Sequence, residues 1–338
     1  RAGGGLVDPL REQARPVVHI RFTASRTISL PAGGRNPFAR RAKTPGMAPL
    51  VSVVIPTHYR NGRLADAIES VRAQTYPDVE CVVVDDSGEG HAAPVADHPE
   101  VTYLALDENR GGNPARTAGI ERADGEYVHL LDDDDRLHPE RIERGMDSLR
   151  ESDARVGFCG FRFENGDERY PRTTGEMLES ALAFDASPCL TSTLLVEGKL
   201  LRSLLPLADR PGGDDLGLII ELAQRTPFDA VNDLLVTRAV EPDSRGKSMG
   251  LIEGRRDIID EYAPLYEEYP VARKRAVADT ARKAGEQLLQ AGERRAALGE
   301  FWRAFRTQPT PARAVPLASA LGGWRLYRAS KHLSVRLP

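Results

Sequence analysis

EYVHLLDDDD, residues 126–135, is a short and mostly apolar run that stops in four consecutive carboxylates. Its length, and its enrichment in residues that suit a pleated surface, fit a buried strand better than a helix. Working upstream, residues 101–105 (VTYLA), 80–84 (ECVVV) and 51–55 (VSVVI) repeat the pattern. Pro56 stops the run that begins at Val51, and Asp85-Asp86-Ser87 follows the run that begins at Glu80. Between these runs, residues 62–74 place Leu64, Ile68 and Val71 on one helical face with Asn61 as the cap, and residues 115–122 predict a second helix. Strands alternating with helices at this spacing make βαβ units and a mostly parallel sheet. Ligands of such sheets bind beyond the carboxyl ends of the strands.

The polar residues gather at those ends: Pro56-Thr57-His58-Tyr59-Arg60, Asp85-Asp86, and the run Asp132 to Asp135. An acidic run is most often a solvated face. One that closes a buried strand is different, because adjacent carboxylates repel unless a cation sits among them. Mg²⁺ and Mn²⁺ take oxygen ligands and share them with phosphates, so a divalent-cation diphosphate site is expected here. Other sites are excluded by their missing signatures. There is no phosphate-binding G-x-x-x-x-G-K-[ST], no H-E-x-x-H and no serine elbow. A phospho-receiver would need a lysine near its aspartates, and none lies between Lys43 and Lys199.

Four ordered blocks, VSVVIPTHYR (51–60), VVVDDS (82–87), NRGGNPARTAGI (109–120) and DGEYVHLLDDDDRLHP (124–139), resemble the nucleotide-sugar domain of family 2 glycosyltransferases. The resemblance covers about residues 50–245. It implies an α/β GT-A fold, Rossmann-like, with a mostly parallel central sheet flanked by helices and, in this chain, a C-terminal helical extension. It also implies inverting, metal-dependent transfer from a nucleoside diphosphate sugar to an acceptor hydroxyl or a lipid-linked phosphate or glycan. By the same resemblance Thr57, Tyr59 and Asp86 line the nucleoside pocket, with Asp86 on the base and Asp85 assisting. Pro56 and Asp133 belong to the same substrate-binding set, Arg116 lies near the nucleotide, and Asp132 faces the ribose or sugar. Asp132-Asp133-Asp134 is the D-x-D element, with Asp134 the leading ligand of Mg²⁺ or Mn²⁺ and Asp132 beside it.

An inverting displacement also needs a general base facing the acceptor. Family members carry an acidic pair that opens a helix beyond the metal motif, and Gly212-Gly213-Asp214-Asp215-Leu216 matches it, followed by the apolar face Leu218, Ile219 and Leu222. Asp215 is the expected base and Asp214 the expected helix cap. The chain departs from the family in three places. It has no Q-x-x-R-W element, so processive synthesis is not expected. Ala239-Val240-Glu241 stands where members often carry a histidine, and Thr117 replaces an asparagine. A non-catalytic nucleotide-sugar-binding protein and a nucleotidyltransferase-like enzyme are the competing readings.

The rest of the chain frames this domain, expected over residues 47–245. Of 338 residues 41% are hydrophobic and 28% charged, enough to bury a large core. The net charge of −4 is uneven: residues 1–46 carry nine basic groups against Asp8 and Glu12. That segment, rich in Arg, Gly and Pro, reads as a disordered leader or arm. Cys81, Cys159 and Cys189 show no metal or disulfide spacing, so a reducing, cytoplasmic setting is expected, including the cytoplasmic face of a membrane. Residues 246–338 read as a helical extension, with helices over 252–269, 271–290 and 294–307 and a hairpin turn at Gly292. From Phe301 onward there are seven basic residues and no acidic one, interleaved with Trp302, Trp324 and Tyr327. Either a peripheral contact with an anionic membrane, through Arg325, Arg328 and Lys331, or a helical cap with a solvated basic face follows. No nucleic-acid partner is expected.

Overall fold

The computed structural model describes residues 48–240 and 248–328. The leader expected at 1–46 and Lys331 of the basic tail lie outside the described residues. The first half alternates β1 (Val51–Thr57), α1 (Asn61–Arg72), β2 (Val79–Asp85), α2 (Ala93–Ala96), β3 (Val101–Ala105), α3 (Gly112–Arg122) and β4 (Tyr127–Leu130). After it come β5 (Arg136–Leu137), α4 (Arg141–Arg150), β6 (Val156–Phe163), β7 (Glu168–Arg169), α5 (Leu178–Leu182), β8 (Leu195–Glu197), α6 (Gly198–Arg202), α7 (Asp214–Ala223) and β9 (Phe228–Arg238). Helices α8 (Met249–Glu261), α9 (Ala263–Glu268), α10 (Pro270–Gln290), α11 (Arg294–Thr307) and α12 (Pro311–Ala320) complete the described chain.

Among the described residues nine strands form one sheet in the order β3-β2-β1-β4-β8-β6-β9-β5, with β7 beside β6. The half from β3 to β4 is parallel throughout, as the alternating pattern predicts. Beyond β4 the sheet is mixed: β8 runs antiparallel to both β4 and β6, while β6 and β9 are parallel. Side chains of a strand alternate between faces. Val51, Val53 and Ile55 therefore pack on one side with Leu64 and Ile68 of α1 and Ile142 and Met146 of α4. Val54, Val84, Val128 and Leu130 pack on the other with Ile120 of α3, Leu222 of α7, and Ile258, Tyr266 and Ala276 of the C-terminal helices. The C-terminal helices thus share the core of the sheet's second face.

Several local expectations change. Asn61 does not cap α1: it is the first helical residue and its Nδ2 donates to the carbonyl of His91, 3.0 Å away. The helix expected over 252–269 is two, because Pro264 near the start of α9 has no N–H to continue the ladder of α8. The next two helices and the turn at Gly292 are as expected, and α12, masked in the sequence by Pro311 and Pro316, adds a further one. Tyr327 is not at an interface. It is buried, stacked on Phe301 at 5.3 Å, with the half-buried Trp324 stacked on it at 5.8 Å. No helix among the described residues is long and apolar enough to cross a membrane. All three cysteines are free and buried.

Candidate active site

Three parallel strands end on one rim, and each delivers the polar residues that follow it. At the end of β1, the Thr57 hydroxyl donates to Asp133 Oδ2 at 2.7 Å in a buried contact. The next turn holds Tyr59 at φ +57° with its ring exposed against His58 and His91. Arg60 reaches across to Asp133 at 3.3 Å and Asp134 at 2.8 Å. At the end of β2, Asp85 accepts from the N–H groups of Ser87 (2.9 Å) and Ala92 (2.7 Å) and from the Tyr103 hydroxyl (2.7 Å). Asp86 accepts from the N–H groups of Arg110 and Gly111, each at 2.8 Å, and so ties down the NRGG loop. Pro56 lies inside β1, opposite Val84 of β2.

At the end of β4 the carboxylates fan apart. Asp133 turns toward Thr57 and Arg60, whereas Asp132, Asp134 and Asp135 each offer an oxygen within 4.8 Å of the others. Arg116 of α3 donates to Asp132 at 2.6 Å and lies 4.0 Å from Asp214, so one buried guanidinium joins the β4 end to the start of α7. Asp132 also accepts from the Thr191 hydroxyl at 3.3 Å, and its N–H donates to Ser192 Oγ at 3.1 Å. Asp135 is fully buried and accepts from Arg238 Nε (3.2 Å) and the Ala239 N–H (3.1 Å). Thr191, Ser192 and Arg238 were not foreseen, and Asp135, part of the expected acidic run, was not among the ligands named from the sequence. Arg238 stands one residue before the segment where the family's histidine is replaced. Thr117, the other departure, accepts a hydrogen bond from the Leu207 N–H at 3.1 Å.

Helix α7 presents the acidic pair. Gly213, left-handed at φ +74°, holds the cap position, and Asp214 and Asp215 are the first two helical residues, so Asp214 is not the cap. Both carboxylates lie where the positive end of the helix dipole favours them. The loop before them is braced from the C-terminal side: a Cβ at Gly254 of α8 would lie 1.8 Å from the Gly212 carbonyl oxygen, and one at Gly212 would lie 2.8 Å from the Leu251 Cα. At Gly212 and Gly254 the two backbones meet with no room for a side chain.

The electrostatics divide the carboxylates into two kinds. Burial would raise Asp85, but its hydrogen bonds from Ala92, Tyr103 and Ser87 hold it below the usual range. Asp132 is likewise lowered, burial being outweighed by Arg116 and Arg238. Burial raises Asp133 to about 6 and raises Asp134, to which the charge of Asp132 adds. Burial also raises Asp135 against the pull of Arg238, and Asp215 against the Leu216 N–H and Arg238, with Asp132 adding to the upward shift. Asp215 therefore feels Asp132 directly. The ionised Asp132 and the proton-prone Asp134 and Asp135 bring three hard oxygen donors together, which fits the requirements of a divalent cation.

Residues 52–198 match the family described as glycosyl transferase family 2. They form a family 2 glycosyltransferase domain. The succinoglycan biosynthesis protein ExoO of Rhizobium meliloti is 34% identical over 156 residues, 45% of this chain and 43% of that protein. The glycosyltransferase AglE of Haloferax volcanii is 28% identical over 180 residues, 49% of this chain and 59% of its own length. The chain spans about half the length of the curated relatives it matches. Among solved structures, S. aureus TarS 1-349 in complex with UDP-GlcNAc superposes at a TM-score of 0.59 and 16% identity, over 84% of this chain and 90% of that one. The mannosyltransferase PcManGT from Pyrobaculum calidifontis, in complex with GDP-Man and Mn²⁺, does so at 0.54 and 19%, over 87% and 86%. The glycosyltransferase domain therefore has the GT-A fold, and the likeness of fold extends beyond the residues that the family match covers.

Proposed function

We propose that this protein transfers single sugar units, with inversion, from a nucleoside diphosphate sugar to an acceptor hydroxyl or a lipid-linked phosphate or glycan. The observation that supports the reading is that Arg116 donates to Asp132 and lies 4.0 Å from Asp214, so the start of α7, with Asp215 next in the chain, stands beside the β4 end. Asp215 accepts the proton of the attacking hydroxyl, and its raised pKa makes it a better base near neutral pH than an ordinary aspartate. Asp132, Asp134 and Asp135 would hold a divalent cation, Mg²⁺ or Mn²⁺, whose chemistry is to offset charge on the departing diphosphate. Arg116 keeps Asp132 ionised and aligned. Asp85 and Asp86 shape the nucleoside pocket by holding the loops at 87–92 and 109–111, beside Thr57, Tyr59 and Pro56. UDP- and GDP-sugars bound by the structural neighbours support the donor class.

A panel of nucleoside diphosphate sugars with Mn²⁺, read by thermal shift and by donor consumption, tests this. One donor should both stabilise the protein and be turned over. Asp215→Asn should lower kcat by about 10² to 10⁴ while leaving donor affinity nearly unchanged. Donor binding without turnover by the unaltered protein, over a range of hydroxyl and lipid-phosphate acceptors, would favour a binding protein instead. Undiminished transfer by Asp215→Asn would place the base elsewhere.

A further inference from the structure

Helix α11 is anchored along one side by Ala297, Phe301 and Ala304, all buried. The Phe301 ring is seated against Gly285 of α10, where a Cβ would come within 2.9 Å of it. With that side inward, the helical period puts Arg295, Gly299, Trp302 and Arg306 on the opposite face, and all four are exposed. Trp302 leaves 54% of its surface open, with Phe305 beside it at a centroid distance of 6.0 Å. Neither Arg295 nor Arg306 forms an ion pair among the described residues. Glu300, the nearest carboxylate in the helix, is turned aside onto Arg256 at 2.8 Å.

We infer that this face of α11 rests on an anionic phospholipid surface, with the Trp302 indole at the headgroup level and Arg295 and Arg306 against the lipid phosphates. An amphipathic ring flanked by cations suits that boundary, where each basic side chain near the surface adds to the attraction. Charge decides between occupants. A second copy meeting this face by two-fold symmetry would set its arginines against themselves, and the one carboxylate of α11, Glu300, is taken up by Arg256. Of the three aromatic rings expected at such a contact, Trp302 alone is exposed on α11, while Tyr327 is buried in the helical cluster and Trp324 packs against it.

Co-sedimentation of the full chain with vesicles of phosphatidylcholine, alone or mixed with phosphatidylglycerol, tests the inference without any sugar donor. The protein should bind the mixed vesicles and not the neutral ones. Replacing Arg295 and Arg306 by Gln should weaken binding about fivefold for each arginine, with a reduced salt dependence. Trp302→Ala should weaken it at high salt as well, where the charge contribution is screened. All three side chains are exposed, so unchanged thermal unfolding of the variants checks that the fold is kept. Failure to bind, binding that these substitutions leave unaltered, or a concentration-dependent dimer abolished by Trp302→Ala would each overturn the inference.

Discussion

Two parallel strands that flank β1, β2 and β4, lead into aspartates, and the two ends are built oppositely. Asp85 and Asp86 at the end of β2 are saturated by backbone N–H groups and a tyrosine, so their charge is spent on shaping loops. At the end of β4, Asp132, Asp134 and Asp135 lie within reach of one another, and the arginines around them do not keep Asp134 and Asp135 in the usual carboxylate range. The same residue type at the same place in a βαβ unit is thus held as a fastener in one case and left as the proposed cation site in the other. What separates them is the supply of oriented N–H donors.

Exchanging charge for amide at each end is the sharpest way to break this contrast. Asp134→Asn should lower turnover by roughly 10³-fold and remove the thermal shift caused by Mn²⁺, while leaving the melting temperature without metal unchanged or higher. If Mn²⁺ still stabilises that variant fully, the β4 end is not the cation site. Gly254→Ala probes how the Asp214-Asp215 pair is held. The added methyl meets the Gly212 carbonyl, so a loss of about 1 to 3 kcal/mol is expected, with kcat falling more than donor affinity. Wild-type stability and kcat in this variant would show that α8 does not brace the loop.

Asp85→Asn should behave as the converse of Asp134→Asn. It loses hydrogen bonds to an ionised acceptor, at a cost of about 1 to 3 kcal/mol in denaturant unfolding, and keeps its response to Mn²⁺. A loss of the Mn²⁺ response there would erase the distinction between the two ends.

The smallest effect is in pH. A carboxylate raised in the folded state, as Asp133 is to about 6, binds a proton there that the unfolded chain has released above pH 4. Its contribution to stability without metal therefore declines as pH rises from about 4 through 6. Asp134 and Asp135 of the cluster are both raised, so protons oppose the cation at low pH, and the rise in Tm on adding Mn²⁺ should be larger at pH 7.5 than at pH 5. Equal shifts at the two pH values would count against raised carboxylates in the cluster.

The strand-end aspartates and the positions of the first four strands were legible in the chain itself, and the acidic pair at 214–215 through the resemblance to family 2 glycosyltransferases. Hydrophobic period and the punctuation of Pro and Asp are local signals, and a parallel strand buried on both faces leaves a continuous apolar run. The long C-terminal helices at 270–290 and 294–307 were legible for the same reason. The partners of those aspartates were not. Thr191 meets Asp132 across 59 positions and Arg238 meets Asp135 across 103, separations at which no periodicity carries information. Only the tertiary structure decided that Asp85 and Asp86 are fasteners, that Gly213 rather than Asp214 caps α7, and that α8 presses its backbone on the loop before it. A carboxylate's role is set by which donors the fold aims at it. Apart from the local N–H groups of Ser87 and Ala92 at Asp85, those donors come from strands and turns that the sheet, and not the sequence, makes neighbours.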